Sequence, residues 1–290
     1  MNGRTRNHRS VPGVVLLTLA VLATPVARGA DPPAGREEAG GQNFIAPAPH
    51  SAEEDRTILR LFEGLRVADV SDGMDAVGLQ DVGLMDPAIG PLWRDTDEFR
   101  HRFCGVAVTV RYVPTNKRAP RLGPEEFPAF EGRWYRELSP EPFVPLLRPG
   151  SVVVIDGRGD GDTGTIGSNN AMGWKEKGAV GIITSGGARD TDELIKEKIP
   201  LYFRGPGRGI RPGRNEVESV NRPITCGGVL VRPGDVVVAD GDGVIVVPRE
   251  HAEAVANVAR RVLEADKQGR RALYQRLGLP PDRTVEPGQP

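Results

Sequence analysis

The chain has 290 residues, 38 basic and 39 acidic side chains, and a 38% hydrophobic fraction. Near-complete charge cancellation excludes recognition of nucleic acid or of an anionic membrane by bulk charge, so any anion has to be caught locally. The apolar content suffices for one sizeable core, and 37 glycines with 26 prolines predict short elements joined by many turns.

At the start, Arg4, Arg6 and Arg9 precede the apolar run VPGVVLLTLAVLA, which is short for a bilayer span and is followed by TPVARGA. The pattern predicts an export signal over residues 1–29. Cleavage after Gly29 puts the small residues Ala27 and Gly29 where a signal peptidase reads. The expected location is periplasmic or secreted, with no stable membrane insertion after cleavage; an uncleaved anchor is the alternative. Residues 30–51, rich in Pro and Gly and without hydrophobic period, are expected to be a disordered linker.

A folded domain is expected over 52–270, with a tail at 271–290. It opens on a helix, because Ile58, Leu61, Phe62 and Leu65 recur at helical spacing. DVSDGMDAVG predicts a second short helix, capped by Asp69 or Ser71 and ended by Gly78. FCGVAVTVRYV reads as a strand. Residues 112–147, Pro-rich and including FEGRWYREL, are expected to be an irregular insertion covering one face. RPGSVVVIDG at 148–157 and RPGDVVVADG at 232–241 echo each other, each a Pro-Gly turn feeding a Val-rich run. Such runs are strands buried on both faces, which requires layers above and below the sheet. GAVGIIT and GVIVVP add two strands, with helical stretches NNAMGWKEKG and REHAEAVANVARRVLEADKQGRRALYQRLG interleaved. The class is α/β, layered, with one main domain. Cys104 and Cys226 lack zinc spacing; export would permit a disulfide between them, but their apolar contexts favour buried free thiols.

Chemistry concentrates in SGGARDTDEL, at the carboxyl end of a buried strand. Arg189 can grip a carboxylate through two parallel hydrogen bonds, and Asp190 is a hard oxygen ligand suited to Mg²⁺ or Mn²⁺. The competing reading makes Asp190 and Glu193 a capping box for the helix of TDELIKEK, and Arg189 a surface ion pair. A glycine-rich loop, GRGDGDTGTIGSNNAMGW, runs into a helix whose free amides around Gly167, Ser168, Asn169 and Asn170 form an anion site. Asp160 and Asp162 hint at calcium, but the loop lacks the spacing of a calcium hand.

Together, DVSDGMDAVG, FCGVAVTVRY, RPGSVVVIDG, Gly167–Ala171, GAVGIITSGGARD and VNRPITCGGVLVRPGDVVVADGDGVIVVPRE resemble, in order over residues 55–270, the RraA-like family. That family includes the class II 4-hydroxy-4-methyl-2-oxoglutarate (HMG) aldolases. The resemblance implies an α-β-β-α sandwich, assembly as a homotrimer or homohexamer with the site between subunits, and divalent-metal-dependent lyase chemistry that releases pyruvate from a small oxo-acid, including oxaloacetate decarboxylation. It also implies that Asp190 anchors the metal, that Arg189 holds the pyruvyl end, and that the amides of Ser168, Asn169 and Asn170 bind the carboxylate. Glu264 or Asp266 of a neighbouring subunit is the candidate assisting acid. One position departs from the family: the acid usually separated from the arginine by twenty intervening residues is Ser168 here, which cannot take up a proton at neutral pH. Asp160, Asp162, Asp192 or Glu193 could substitute; the alternatives are changed chemistry or a non-catalytic regulatory or oxo-acid-binding protein.

Overall fold

The structure, a computed structural model, describes residues 43–44 and 50–286. The expected export signal and most of the expected linker lie outside the described residues. In chain order the elements are β1 (Asn43–Phe44), α1 (Ala52–Phe62), α2 (Val67–Ala76), β2 (Gly90–Pro91), β3 (Phe103–Pro114), α3 (Phe127–Glu137), β4 (Ser151–Asp156), β5 (Gly164–Ile166), α4 (Ser168–Glu176), β6 (Ala179–Ala188), α5 (Thr191–Lys196), β7 (Leu201–Pro206), β8 (Asn215–Val220), β9 (Ile224–Cys226), β10 (Val229–Val231), β11 (Val236–Asp240), β12 (Gly243–Val247) and α6 (Ala252–Leu277).

One ten-stranded mixed sheet runs β1-β8-β3-β4-β6-β7-β2, with β11 pairing both β3 and β12 and β5 pairing β6. The central β3, β4, β6 and β7 are mutually parallel. The long β3 is shared along its edge: Phe103–Val106 pairs antiparallel with β11, and Val110–Pro114 pairs antiparallel with β8. Every residue of β4, β11 and β12 is buried, as their continuous Val-rich runs predict. The alternation of β4 divides the core, with Val153 and Ile155 packing on the side of Trp174 and Leu194, and Val152 and Val154 toward Val237, Val244 and Val246.

The third layer boundary lies under α1, α2 and α6, where Phe62, Val70, Met74, Val255, Ala259 and Leu263 meet Val236, Val238, Ile245 and Val247. Burial of a side chain such as Phe62 or Met74 contributes about 1.5–3 kcal/mol, which fixes the helices that back this half of the sheet. The result is an α-β-β-α layered single domain.

Three local features differ from the sequence expectations. The helix α2 begins two residues before Asp69, which therefore sits inside its first turn and reaches back to accept from the Arg66 N–H at 2.9 Å; Ser71 lies within the helix, and Gly78 follows its end at φ +83°. The 112–147 segment is not irregular throughout, because FPAFEGRWYRE forms α3, pinned by Trp134, whose indole N–H donates to Asn215 O at 2.9 Å. The expected domain end at residue 270 falls inside α6, which runs to Leu277 as its helical pattern predicts, where Gly278 ends it. Cys104 and Cys226 are free thiols.

Candidate active site

β6 delivers the arginine and aspartate. At its end the Arg189 N–H donates to Ile166 O at 2.8 Å, clasping the last residue of β5 and so bringing the start of α4 alongside. Gly164 makes this approach feasible, since a Cβ there would lie 2.8 Å from the Arg189 Cβ. Asp190 adopts φ +56°, a left-handed conformation uncommon for a residue with a side chain and one that accumulates at functional sites.

Asp190 does not cap the helix that follows it, because its side chain makes no hydrogen bond to α5. Its Oδ2 instead accepts from the Ser168 N–H at 3.0 Å and from the Ser168 hydroxyl at 3.4 Å, across twenty-two residues. The carboxylate thus stands at the amino terminus of α4, where the helix dipole and the exposed amides favour negative charge. Arg189 Nε lies 3.9 Å from Asp190 Oδ1, and the two side chains remain 37% and 38% exposed.

Gly167 is the pivot. A Cβ added to it would lie 2.8 Å from Asp190 Oδ2, 3.5 Å from Arg189 Nε and 3.6 Å from Asn170 Oδ1, so three functional groups bound the same small space. Of the amides at the start of α4, Ser168 N–H is engaged by Asp190 and Ala171 N–H by Gly167 O at 3.0 Å. The Asn169 and Asn170 amides have no partner among the described residues, which leaves two donors for an anion.

Among the described residues, none of the candidate substitutes for the missing acid bonds through its side chain to Arg189, Asp190 or the start of α4. Asp160, 7% exposed, accepts through Oδ2 from Asn215 Nδ2 at 2.7 Å and Thr165 Oγ1 at 3.2 Å, while its Oδ1 has no partner; burial raises its pKa above the usual carboxylate range. It lines a cavity of about 470 Å³ with Arg158, Ser185 and Arg204. Asp162 pairs with exposed Arg208 at 2.6 Å, and this guanidinium lowers its pKa. Asp192 and Glu193 occupy the first turn of α5. Within the chain, Glu264 approaches Lys267 at 3.8 Å and Asp266 binds Arg66 at 2.9 Å; both ride on α6, which packs on α1 and α2. Another cavity, of about 750 Å³ and lined by Arg102, Phe103, Lys175 and Lys198, contains neither Arg189 nor Asp190.

A residue outside the sequence expectations completes the neighbourhood. Glu141, from the insertion, accepts from Asn170 Nδ2 at 2.7 Å, Trp174 Nε1 at 2.9 Å and Arg211 at 2.5 Å. Arg211 is 4% exposed and also donates to Tyr112 Oη at 2.9 Å and Ser139 O at 3.1 Å, with its guanidinium carbon 5.0 Å from the Tyr135 ring centre. Tyr135 thus packs against the arginine that holds Glu141 beside α4, while Trp134 anchors α3 to Asn215. No local pattern in the sequence links residue 141 to residues 170 and 211, since only the tertiary fold joins them.

The donor set fits a weakly chelated hard cation. Among the described residues no three His, Cys, Asp or Glu side chains converge. One carboxylate supplemented by water and substrate oxygens is the usual arrangement for Mg²⁺.

Residues 67–246 match the RraA-like family, described as Aldolase/RraA. A Halalkalibacterium halodurans protein provisionally named 4-hydroxy-4-methyl-2-oxoglutarate aldolase is 35% identical over 126 residues, 43% of this chain and 59% of its own; the chain thus spans less than two thirds of that relative. A Deinococcus radiodurans protein with the same provisional name is 31% identical over 184 residues, 62% of this chain and 99% of its own. Among solved structures, an uncharacterized protein of Pseudomonas syringae pv. tomato superposes with a TM-score of 0.60 at 27% identity, covering 78% of this chain and 94% of that one. Shared fold, order of motifs and a family match over most of the domain lead to one conclusion: the chain belongs to the RraA-like family.

Proposed function

We propose that this protein is a divalent-metal-dependent lyase that cleaves a carbon–carbon bond of a small oxo-acid and releases pyruvate, of the HMG aldolase and oxaloacetate decarboxylase type. The observation that carries this reading is the convergence of Arg189, Asp190 and the open amides of α4 about Gly167. Cleavage β to a ketone leaves its electron pair on a pyruvate enolate, which a proton then converts to pyruvate. In this reading the Asn169 and Asn170 amides hold the substrate carboxylate, and the Arg189 guanidinium faces the oxygen on which charge develops. Asp190 anchors Mg²⁺ or Mn²⁺, which when bound supplies further positive charge beside that oxygen.

Ser168 bears on which substrate turns over. Aldol cleavage requires a base to take the proton of the departing alcohol, whereas decarboxylation expels CO₂ and requires none. With a serine at the position of the usual acid, and its amide and hydroxyl both directed to Asp190, decarboxylation is the better-supported reaction. The half-exposed Arg189 and Asp190 leave room for a second copy to cover the site, consistent with a homotrimer or homohexamer in which Glu264 or Asp266 of a neighbouring copy assists; Asp266 would first have to leave Arg66. Export is part of the proposal, resting on the signal expected at residues 1–29, with the chemistry then taking place outside the cytoplasm.

The purified full-length chain should release pyruvate from oxaloacetate with Mg²⁺ or Mn²⁺, measured by coupled NADH oxidation, and EDTA should stop it. Asp190→Asn should remove most of the metal-dependent rate. Absence of metal-dependent release from both oxaloacetate and HMG would refute the proposal.

A further inference from the structure

Asn170 carries a side chain as well as a backbone amide into this site, and the fold fixes which end of that side chain points where. A carboxylate can only accept, so Glu141 must receive the Asn170 Nδ2 group, at 2.7 Å. The amide orientation follows from this chemistry rather than from a choice between two similar atoms. Asn170 Oδ1 is thereby turned to the space it shares with Asp190 Oδ2 and Arg189 Nε around Gly167. Glu141 is itself held by the buried Arg211 and by Trp174, so the carboxamide has a rigid support. An ordinary surface asparagine has no such support.

We infer that Asn170 Oδ1 is a further oxygen acceptor for the cation and its water shell at the Asp190 site, and that Glu141 is the positioning residue that orients it. This rests on the functional reading above. It supplies a carbonyl oxygen where Ser168 provides no carboxylate, without supplying a proton acceptor, and so agrees with chemistry that needs no base. A neutral oxygen donor of this kind is well suited to Mg²⁺ and Mn²⁺. Outer-shell partners that orient such groups typically alter metal affinity by about 10–100-fold.

The test is Mn²⁺ affinity, read by electron paramagnetic resonance on the full-length chain with pyruvate present, alongside thermal unfolding. Asn170→Leu keeps the size of the side chain and should weaken Mn²⁺ binding about tenfold with little change in Tm. Asn170→Asp loses the donor that Glu141 holds and sets two carboxylates face to face, so it should bind Mn²⁺ no more tightly than the parent. Glu141→Gln frees the carboxamide to turn either way and should weaken Mn²⁺ binding in the same direction as Asn170→Leu. Should that variant fold poorly because Arg211 loses its counter-charge, the Asn170 pair decides alone. Parent-like affinity in Asn170→Leu, while Asp190→Asn loses the metal, would overturn the inference and leave the functional reading standing. Parent protein that binds no Mn²⁺, or binds it equally after Asp190→Asn, would overturn both.

Discussion

Replacing Gly167 by alanine isolates the site geometry from stability. The backbone there, φ −124° and ψ 170°, suits alanine, so the substitution introduces no backbone strain. Its new Cβ, however, would stand 2.8 Å from Asp190 Oδ2. Ordinary carbon–oxygen contact needs about 3.4 Å, so the carboxylate must retreat by roughly half an ångström and its bond to the Ser168 amide lengthens past useful range. Losing that bond costs about 1 kcal/mol, while Gly→Ala recovers about 0.4–1 kcal/mol by restricting the unfolded chain. The two nearly cancel, and Tm should move by less than about 3 °C. Catalysis has no such compensation: since a displacement of about 1 Å can cost a hundredfold, half of it should lower kcat/KM for oxaloacetate about tenfold. The assay is coupled pyruvate release beside a thermal melt. Unchanged kcat/KM in a folded Gly167→Ala protein would show that the Asp190 carboxylate takes no part in the reaction.

Gly173, exposed in the interior of α4 with nothing within 4 Å of an added Cβ, is the matched control: Gly173→Ala should stabilise by about 0.5–1 kcal/mol in urea unfolding and leave activity unchanged. Asp160→Asn removes a buried carboxyl whose pKa burial has raised. Because the folded pKa lies above the unfolded one, wild-type stability from this group is present in acid and is lost as pH rises through the folded value. The Tm advantage of Asp160→Asn should therefore be smallest below about pH 4 and grow toward pH 8, and a difference independent of pH would contradict the assignment. Cys226, fully buried with its thiol pushed up to about 12, should resist alkylation at pH 8 until the protein unfolds, as followed by mass spectrometry.

The fold was readable where the pattern was local and strong. The Val-rich runs of β4 and β11 announced strands covered on both faces, and helical spacing in α1 located the side, with Ile58, Leu61 and Phe62, that packs on the core. Boundaries depended on finer contacts: Asp69 acts from inside the first turn of α2 because Arg66, not Asp69, has the extended capping conformation. Helix α3 was hidden by the prolines flanking it, although its Trp134 is anchored in the core. At the site, the sequence pointed to Arg189, Asp190 and the Gly167 loop as one cluster, and the structure brings them together. It could not show that Asp190 serves the start of α4 rather than its own helix, because that bond crosses twenty-two residues. Nor could it reveal Glu141, whose three donors come from residues 170, 174 and 211.

A crystal structure of the full-length chain with Mg²⁺ and pyruvate is the most direct examination of the site. The cation should lie against the Asp190 carboxylate, with the pyruvate carboxylate on the Asn169 and Asn170 amides and Arg189 on its oxygens. Ligand and cation found together at another place, with Asp190 still bound only to Ser168, would contradict the lyase account.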